Sequence, residues 1–457
     1  MPRTLIRAGT IVSDGRSFQG DILIEDETIV AVEKKITAAA GNERIVDAGG
    51  CDVFPGGVDP HVHLELETPA GLSSDDFASG SRAALAGGTT TIIDFVTPGR
   101  GEPLPDALVA RKAAARKSLC DYGLHMSVCD WNDRTLSELE ACCHREGIRS
   151  VKTYLAYKET IGLGDSEFLA VLDAARRLRF LTMVHAEAGD MVSFLQNKLL
   201  GQGKTAAAAH PLSRPPEVEG DAVRRALLMA RLAGVPLYIV HVSSRQGVDA
   251  IRAARQAGQA AIGETCPQYL LLDEGRYGGN AVDAAPFVMS PPLRGSEHQA
   301  ALWEALEQGV IQTLATDHCP FNLEAKTKFA EVDFTRIPSG CGGIEYRLSL
   351  LYSFGVKTRR ISLARFVDLV STKAAKLFGL YPRKGAIRPG SDADLVIWDP
   401  NVKQTIAAAR QWQRCDHTLY EGLELQGGPR LVFSRGRAVF EDSKVHAEPG
   451  RGIFLSR

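Results

Sequence analysis

The residues capable of metal and acid–base chemistry recur at one kind of place in the chain. His61 and His63 flank Val62, Lys152 lies in SVKTYLAY, and His185 falls near the end of FLTMVHAE. His241 lies in PLYIVHVSS and Asp317 in IQTLATDHCPF. In an extended strand residues i and i+2 share a face, so both imidazoles of His61-Val62-His63 can reach one ion. Such a pair alone is a weak signal, because it also suits a packed or solvated strand. Two more histidines and an aspartate, each near the end of its own β-type run, strengthen the metal reading. Imidazole and carboxylate suit zinc or a neighbouring divalent transition metal. Lys152 fits less obviously: an ammonium has no lone pair, and residue type alone reads it as ion-paired or snorkelling.

Something must bring these residues together, and the middle of the chain supplies it. Between about residues 55 and 381 eight β-type runs occur: VFPGGVDPHVHL, TTTIIDFV, DYGLHMSV, SVKTYLAY, FLTMVHAE, PLYIVHVSS, AAIGETCPQYL and IQTLATDHCPF. Segments of helical period, such as FLAVLDAARRLR and EGDAVRRALLMARLAG, lie between them. Eight βα units predict an α/β fold, a (β/α)₈ TIM barrel; an open doubly wound sheet shares the alternation. The barrel is preferred because the polar residues cluster at one end of the strands, and parallel strands bring those ends to one mouth. Residues 1–54 and 382–457 have a different texture, with short β-type runs separated by Gly and Asp turns. They predict a smaller β-sandwich built from both termini, with a tail.

Composition narrows the class of partner. Of 457 residues 44 % are hydrophobic and 24 % charged, which is ordinary globular usage. Fifty-three basic against 55 acidic side chains give a net charge of −2, so no basic excess points to nucleic acid or an anionic membrane. No apolar run is long enough for a membrane span, and MPRTLIRAGTIVSDG lacks a signal-like apolar stretch. The nine cysteines are scattered, odd in number and without CxxC spacing, which predicts reduced thiols and a cytoplasmic protein. A small molecule is the expected partner.

The motifs FPGGVDPHVHLE, SSDDFASGSRAALAGGTTTIIDF, SVKTYLAYK, MVHAE, HPLSRPP, YIVHVSS, GETCPQYLLL, SPPLR, ATDHC and KGAIRPGSDADLVIWDP run nearly end to end. Together they resemble the cyclic amidohydrolases of the metal-dependent amidohydrolase superfamily, most closely the dihydropyrimidinase and hydantoinase branch. That resemblance implies two divalent metal ions, zinc with manganese or cobalt as alternatives. It also implies that Lys152 carries CO₂ as a carbamate, an anion whose two oxygens can bridge the metals. One metal would take His61, His63, Lys152 and Asp317; the other would take Lys152, His185 and His241. Asp317 would be the proton shuttle, and Tyr157 would hydrogen-bond the developing oxyanion. His318, next to Asp317, reads as a supporting residue rather than a ligand.

Substrate contacts follow from the same resemblance. In this branch the ring amide is held largely by backbone groups on two loops, matching Ser290 in MSPPLR and Ser339 in IPSGCGG. Asparagine is usual at the second position, within a pattern nearer NGxPG, so Ser339, Cys341 and Gly342 are departures. Leu66, Tyr154 and Ile161 are expected near the exocyclic pocket. The implied reaction opens a dihydropyrimidine or a 5-substituted hydantoin to an N-carbamoyl amino acid.

Other readings fit the residues less well. Dihydroorotase relatives place Arg two positions after the second histidine, where this chain has Glu65, whose charge is expected to repel that substrate. Allantoinases place Asn there. A non-catalytic dihydropyrimidinase-like scaffold is disfavoured because all six ligand positions are filled, and a one-metal deaminase because SVKTYLAYK is present. A homotetramer is expected from the branch, with DHTLYEGLELQGGPRLVF read as continuing past the sandwich onto a neighbour.

Overall fold

The computed structural model describes residues 3–37, 43–68 and 71–457. Its centre is a barrel of eight parallel strands: β1 (Gly57–Val62), β2 (Thr89–Val96), β3 (Asp121–Ser127), β4 (Ser150–Tyr154), β5 (Leu181–His185), β6 (Leu237–Ile239), β7 (Ala261–Thr265) and β8 (Ile311–Leu314). Each pairs with the next in sequence order. Every residue of β1 to β4 is buried, the pattern of strands covered on both faces. The ring closes just beyond β8. Val62 bridges His318, the Asp317 N–H donates to the His61 carbonyl at 3.0 Å, and the His63 N–H donates to the His318 carbonyl at 2.8 Å.

Helices cover the outside for reasons legible in the residues. In Asp165–Leu178 the buried Phe168, Val171, Leu172, Ala175 and Leu178 make one stripe at helical spacing, while Arg176 and Arg177 take the other face. The helix Phe77–Ala86 starts in a capping box, the Asp76 carboxylate accepting from the Ser79 N–H at 2.8 Å.

A second sheet draws on both ends of the chain. Its order is Lys444–Val445, Arg437–Glu441, Glu424–Ser434, Leu395–Thr405, Asp52–Pro55, Arg3–Ser13, Arg16–Glu25 and Thr28–Glu33, with Arg44–Asp47 pairing onto Arg3–Ser13. The two ends meet where Leu395–Thr405 runs antiparallel to Asp52–Pro55. Ile6, Ile11, Ile22, Val53, Leu395, Ile397 and Phe433 give this sheet a core of its own.

Two expectations about boundaries change. VFPGGVDPHVHL is not one strand: Asp52–Pro55 belongs to the terminal sheet, and the chain enters the barrel after Gly56. A Cβ at Gly56 would come within 2.1 Å of Thr90 Oγ1, so the crossing needs glycine. The DHTLYEGLELQGGPRLVF stretch does not run past the sheet: its second half lies in Glu424–Ser434 and pairs within this chain. The tail after it returns beneath the barrel, where the Leu455 N–H donates to the Tyr122 carbonyl at 2.8 Å.

Sheet and barrel are joined by buried charge on the face opposite the strand C-termini. Lys384 Nζ lies 2.6 Å from Asp121, 2.8 Å from Asp394 and 3.0 Å from Asp392, and Arg435 Nε lies 3.2 Å from Asp121. Burial opposes the Lys384 charge, but the carboxylates overcome it and hold its pKa above the ordinary lysine value.

Candidate metal and active site

The mouth of the barrel collects the residues singled out by type and spacing. His61 Nε2, His63 Nε2 and Asp317 Oδ1 form a near-equilateral triangle, with all three edges 3.2 Å. Three ligands of a tetrahedral ion with bonds near 2.0–2.1 Å stand about 3.3 Å apart, so the triangle has the right size for one metal. His185 and His241 stand beside it, their ring centroids 4.6 Å apart, and His241 lies 5.5 Å from His61. Lys152 is buried on β4, its Nζ 5.1 Å from the ring centroids of both Phe95 and Tyr154.

The surrounding groups fix which nitrogen of each imidazole is free. His61 Nδ1 is 2.7 Å from Glu264 Oε1, leaving Nε2 for the triangle. His185 Nε2 is 2.7 Å from Glu187 Oε2, leaving Nδ1. Among the described residues the buried His63 Nδ1 and His241 Nδ1 have no hydrogen-bond partner. Buried polar atoms are normally satisfied, so the unpaired His241 Nδ1, with the triangle, fits a site built for metal. His63 already offers Nε2 to the triangle, and its Nδ1 lies on the other side of the ring.

Charge follows the same logic. Burial lowers the pKa of Lys152 to about 8, against the pull of Asp317 and Glu264. Burial also lowers His63 and His185, and lowers His241 far more with help from the neighbouring His185. Burial works against the Asp317 carboxylate, but His61 and His63 hold it well below the usual carboxylate range. Burial likewise opposes Glu187, which Arg214 and His185 hold down at about 2. Burial opposes a charge on His61 too, but Glu264 and Asp317 outweigh it and hold its pKa above the ordinary imidazole value. Neutral imidazoles at His63, His185 and His241, beside the Asp317 and Glu187 carboxylates, favour cations.

Three of the mouth residues sit in strained backbone. Tyr157, His241 and Asp317 have φ of 58°, 39° and 53°. Non-glycine residues rarely adopt this region, and such strain concentrates at functional sites. His318 points into the protein, its Nε2 3.0 Å from Asp75 while its Nδ1 accepts from the Gly343 N–H at 3.1 Å. That is a supporting role.

Tyr157 follows β4, its ring 5.2 Å from His185 and its hydroxyl near enough to Ser290 for that side chain to oppose the rise that burial gives its pKa. Ser290 Oγ and Ser339 Oγ lie 3.1 Å apart, although 49 residues separate them. The fold therefore gathers Tyr157, Ser290 and Ser339 beside His185. Of the three residues expected near the exocyclic pocket, Tyr154 is buried against His185 and Lys152, whereas Leu66 and Ile161 are half-exposed.

Glu65 corrects one argument. Its carboxylate is ion-paired at 2.8 Å with Lys117, so its charge is locally neutralised and does not serve to repel an anionic substrate. Four further residues support the mouth without having been singled out by sequence. Glu264 and Glu187 orient imidazoles, Asp75 holds His318, and Arg214 reaches Glu187 at 2.5 Å with its guanidinium 5.4 Å from the Tyr157 ring. Strand alternation could have revealed Glu187, two residues after His185; Glu264 lies 203 residues from its partner and leaves no local signal.

Comparison with known proteins agrees with this architecture. The amidohydrolase family model matches residues 53–439. A D-hydantoinase of Geobacillus stearothermophilus is 44 % identical over 454 residues, covering 99 % of this chain and 96 % of that protein. A dihydropyrimidinase of Arabidopsis thaliana is 40 % identical, covering 99 % of this chain and 85 % of that protein. The crystal structure of dihydropyrimidinase from Brevibacillus agri NCHU1002 superposes with a TM-score of 0.97 at 41 % identity, covering 100 % of this chain and 98 % of that one. With this barrel, this terminal sheet and these matches along its whole length, the chain belongs to the amidohydrolase family, in its hydantoinase and dihydropyrimidinase branch.

Proposed function

We propose that this enzyme hydrolyses the ring amide of a dihydropyrimidine or a 5-substituted hydantoin, releasing an N-carbamoyl amino acid. The observation that carries the reading is the 3.2 Å triangle of His61, His63 and Asp317, with Tyr157, Ser290 and Ser339 at the same mouth. Membership of the family implies divalent metal, and the donor set suits zinc, with manganese or cobalt as alternatives. His61, His63 and Asp317 would hold one ion and His185 and His241 a second, with Lys152 carboxylated to bridge them. When bound, the ions supply Lewis acidity and make a water nucleophilic near neutral pH.

The chain's own residues do the rest. Water adds to the ring carbonyl carbon, the carbon–nitrogen bond breaks, and the new carboxyl and the freed nitrogen are the products. Asp317, one-fifth exposed at the mouth, takes the water's proton and returns it to the departing ring nitrogen. The Tyr157 hydroxyl donates to the oxygen that gains charge as the carbonyl becomes tetrahedral. Backbone groups at Ser290 and Ser339 hold the rest of the ring. Nine buried, unpaired cysteines support a reducing compartment, the cytoplasm. No helix among the described residues is long and apolar enough to cross a membrane. A homotetramer is the proposed state, on the resemblance to the hydantoinase and dihydropyrimidinase branch.

The test is ring opening by metal-replete enzyme of dihydrouracil, a 5-substituted hydantoin, allantoin and dihydroorotate, beside a chelated control. Metal-dependent opening of either of the first two supports the proposal. Since Glu65 does not exclude an anion, preference for dihydroorotate or allantoin would replace it.

A further inference from the structure

Lys326 is a buried cation that the reaction outlined above leaves without a task. It lies in the short helix Leu323–Thr327 with its side chain fully buried. Burying an ammonium is costly unless its donors are satisfied, and burial lowers the pKa of Lys326 to about 8. Among the described residues no carboxylate offsets this; the groups that favour its charge are the thiols of Cys341, Cys319 and Cys415. His210 and His417 lie close enough to be disfavoured as cations by it. Burial keeps the thiols neutral, pushing Cys341 to about 12 and Cys415 to about 11. The charge is met by peptide oxygens instead. Nζ donates to the Val288 carbonyl at 2.6 Å and to the Pro338 carbonyl at 2.7 Å.

Those two carbonyls belong to the two serine loops. Val288 lies two residues before Ser290, and Pro338 directly precedes Ser339. The Gly340 N–H also donates to the Val288 carbonyl at 3.2 Å, so the loops are tied together at their base. The Pro338–Ser339 peptide is trans, so its N–H points away from the oxygen that Lys326 holds. Among the described residues the Ser339 N–H donates to nothing. A peptide whose oxygen accepts a charge-assisted bond becomes a stronger donor at its nitrogen.

We propose that Lys326 is a positioning residue for substrate recognition: by holding the Val288 and Pro338 carbonyls it sets the spacing of the two serine loops and strengthens the Ser339 N–H as a donor to the ring carbonyl that is not hydrolysed. This rests on the ring-opening reading above. It gives a reason for a lysine here, since a shorter or single-donor side chain cannot bridge both carbonyls.

The test compares a 5-substituted hydantoin with its 2-thio analogue on metal-loaded parent and Lys326→Met enzyme. Sulfur is a poor acceptor, and the 2-position is not the one attacked. Lys326→Met is expected to raise KM for the oxo ring about tenfold, leave kcat within about threefold, and shrink the oxo-over-thio preference in kcat/KM about fivefold. Lys326→Arg, which keeps charge and donors, restores part of that preference. Equal losses on both rings would assign Lys326 to structure alone, and unchanged kinetics would remove the role altogether; either overturns the proposal. If the Met variant does not accumulate folded, Lys326→Gln takes its place and the same ratio decides. Failure of the parent to open the hydantoin would instead sink the functional reading, and the Lys326 role with it.

Discussion

The two ends of the barrel both bury ionisable clusters, and they are built oppositely. Beneath the strands, Lys384 meets Asp121, Asp392 and Asp394 within 3.0 Å, and Arg435 adds a second cation to Asp121. At the mouth, His61, His63, His185, His241 and Lys152 crowd one another around the Asp317 carboxylate, and two imidazole nitrogens have no partner among the described residues. The lower cluster is complete within the chain and locks the terminal sheet to the barrel. The upper one leaves imidazole nitrogens unpaired beside three donor atoms, His61 Nε2, His63 Nε2 and Asp317 Oδ1, that converge at ligand spacing. Satisfaction, more than burial or charge, distinguishes a structural cluster from a working one.

Substitutions at the two ends should separate these roles. Lys152→Ala carries the largest expected effect: loss of ring opening by more than about a thousandfold together with loss of bound metal, measured by turnover and elemental analysis. Near-normal turnover with full metal would break the assignment. Asp317→Asn should keep the melting temperature within a few degrees and cost on the order of a thousandfold in kcat; an unchanged rate and pH profile would remove Asp317 as the proton carrier.

At the other end the expected readout is stability. Lys384→Met leaves the buried Asp394 without its ion-pair partner and Asp121 with Arg435 alone, and should cost about 3–5 kcal/mol in denaturant unfolding, with little change in kcat. Because its pKa is raised on folding, the Lys384 contribution is fully present below the ordinary lysine pKa of 10.5 and is lost as pH rises through the higher folded value. Loss of the difference between parent and variant at neutral pH would contradict the pairing. Tyr157→Phe should lower kcat about a hundredfold without altering stability. The smallest effect is expected for Glu187→Gln, which loosens His185 and should weaken metal affinity about tenfold, read by competition with a chelator.

Much of this was legible in the residues because it is periodic or local. Eight β-type runs mark the eight strands, and the polar residues at their ends mark the mouth. What stayed hidden depends on contacts between distant segments. Glu264 beneath His61, Lys326 behind Pro338 and Lys117 beside Glu65 are ordinary charged residues until the fold brings their partners close. The split of VFPGGVDPHVHL at Gly56 was hidden for another reason: both halves are strands, and only their sheet partners distinguish them. Glu65 shows the hazard of reading a charge without its neighbour.

The measurement that bears most directly on the mouth is metal reconstitution. Enzyme stripped by a chelator is titrated with zinc while opening of a 5-substituted hydantoin is followed. The account predicts no turnover in the stripped enzyme and full activity only as the second equivalent per chain is bound, with Lys152→Ala failing to recover. Full turnover at one equivalent, or turnover that survives stripping, would contradict the two-metal centre.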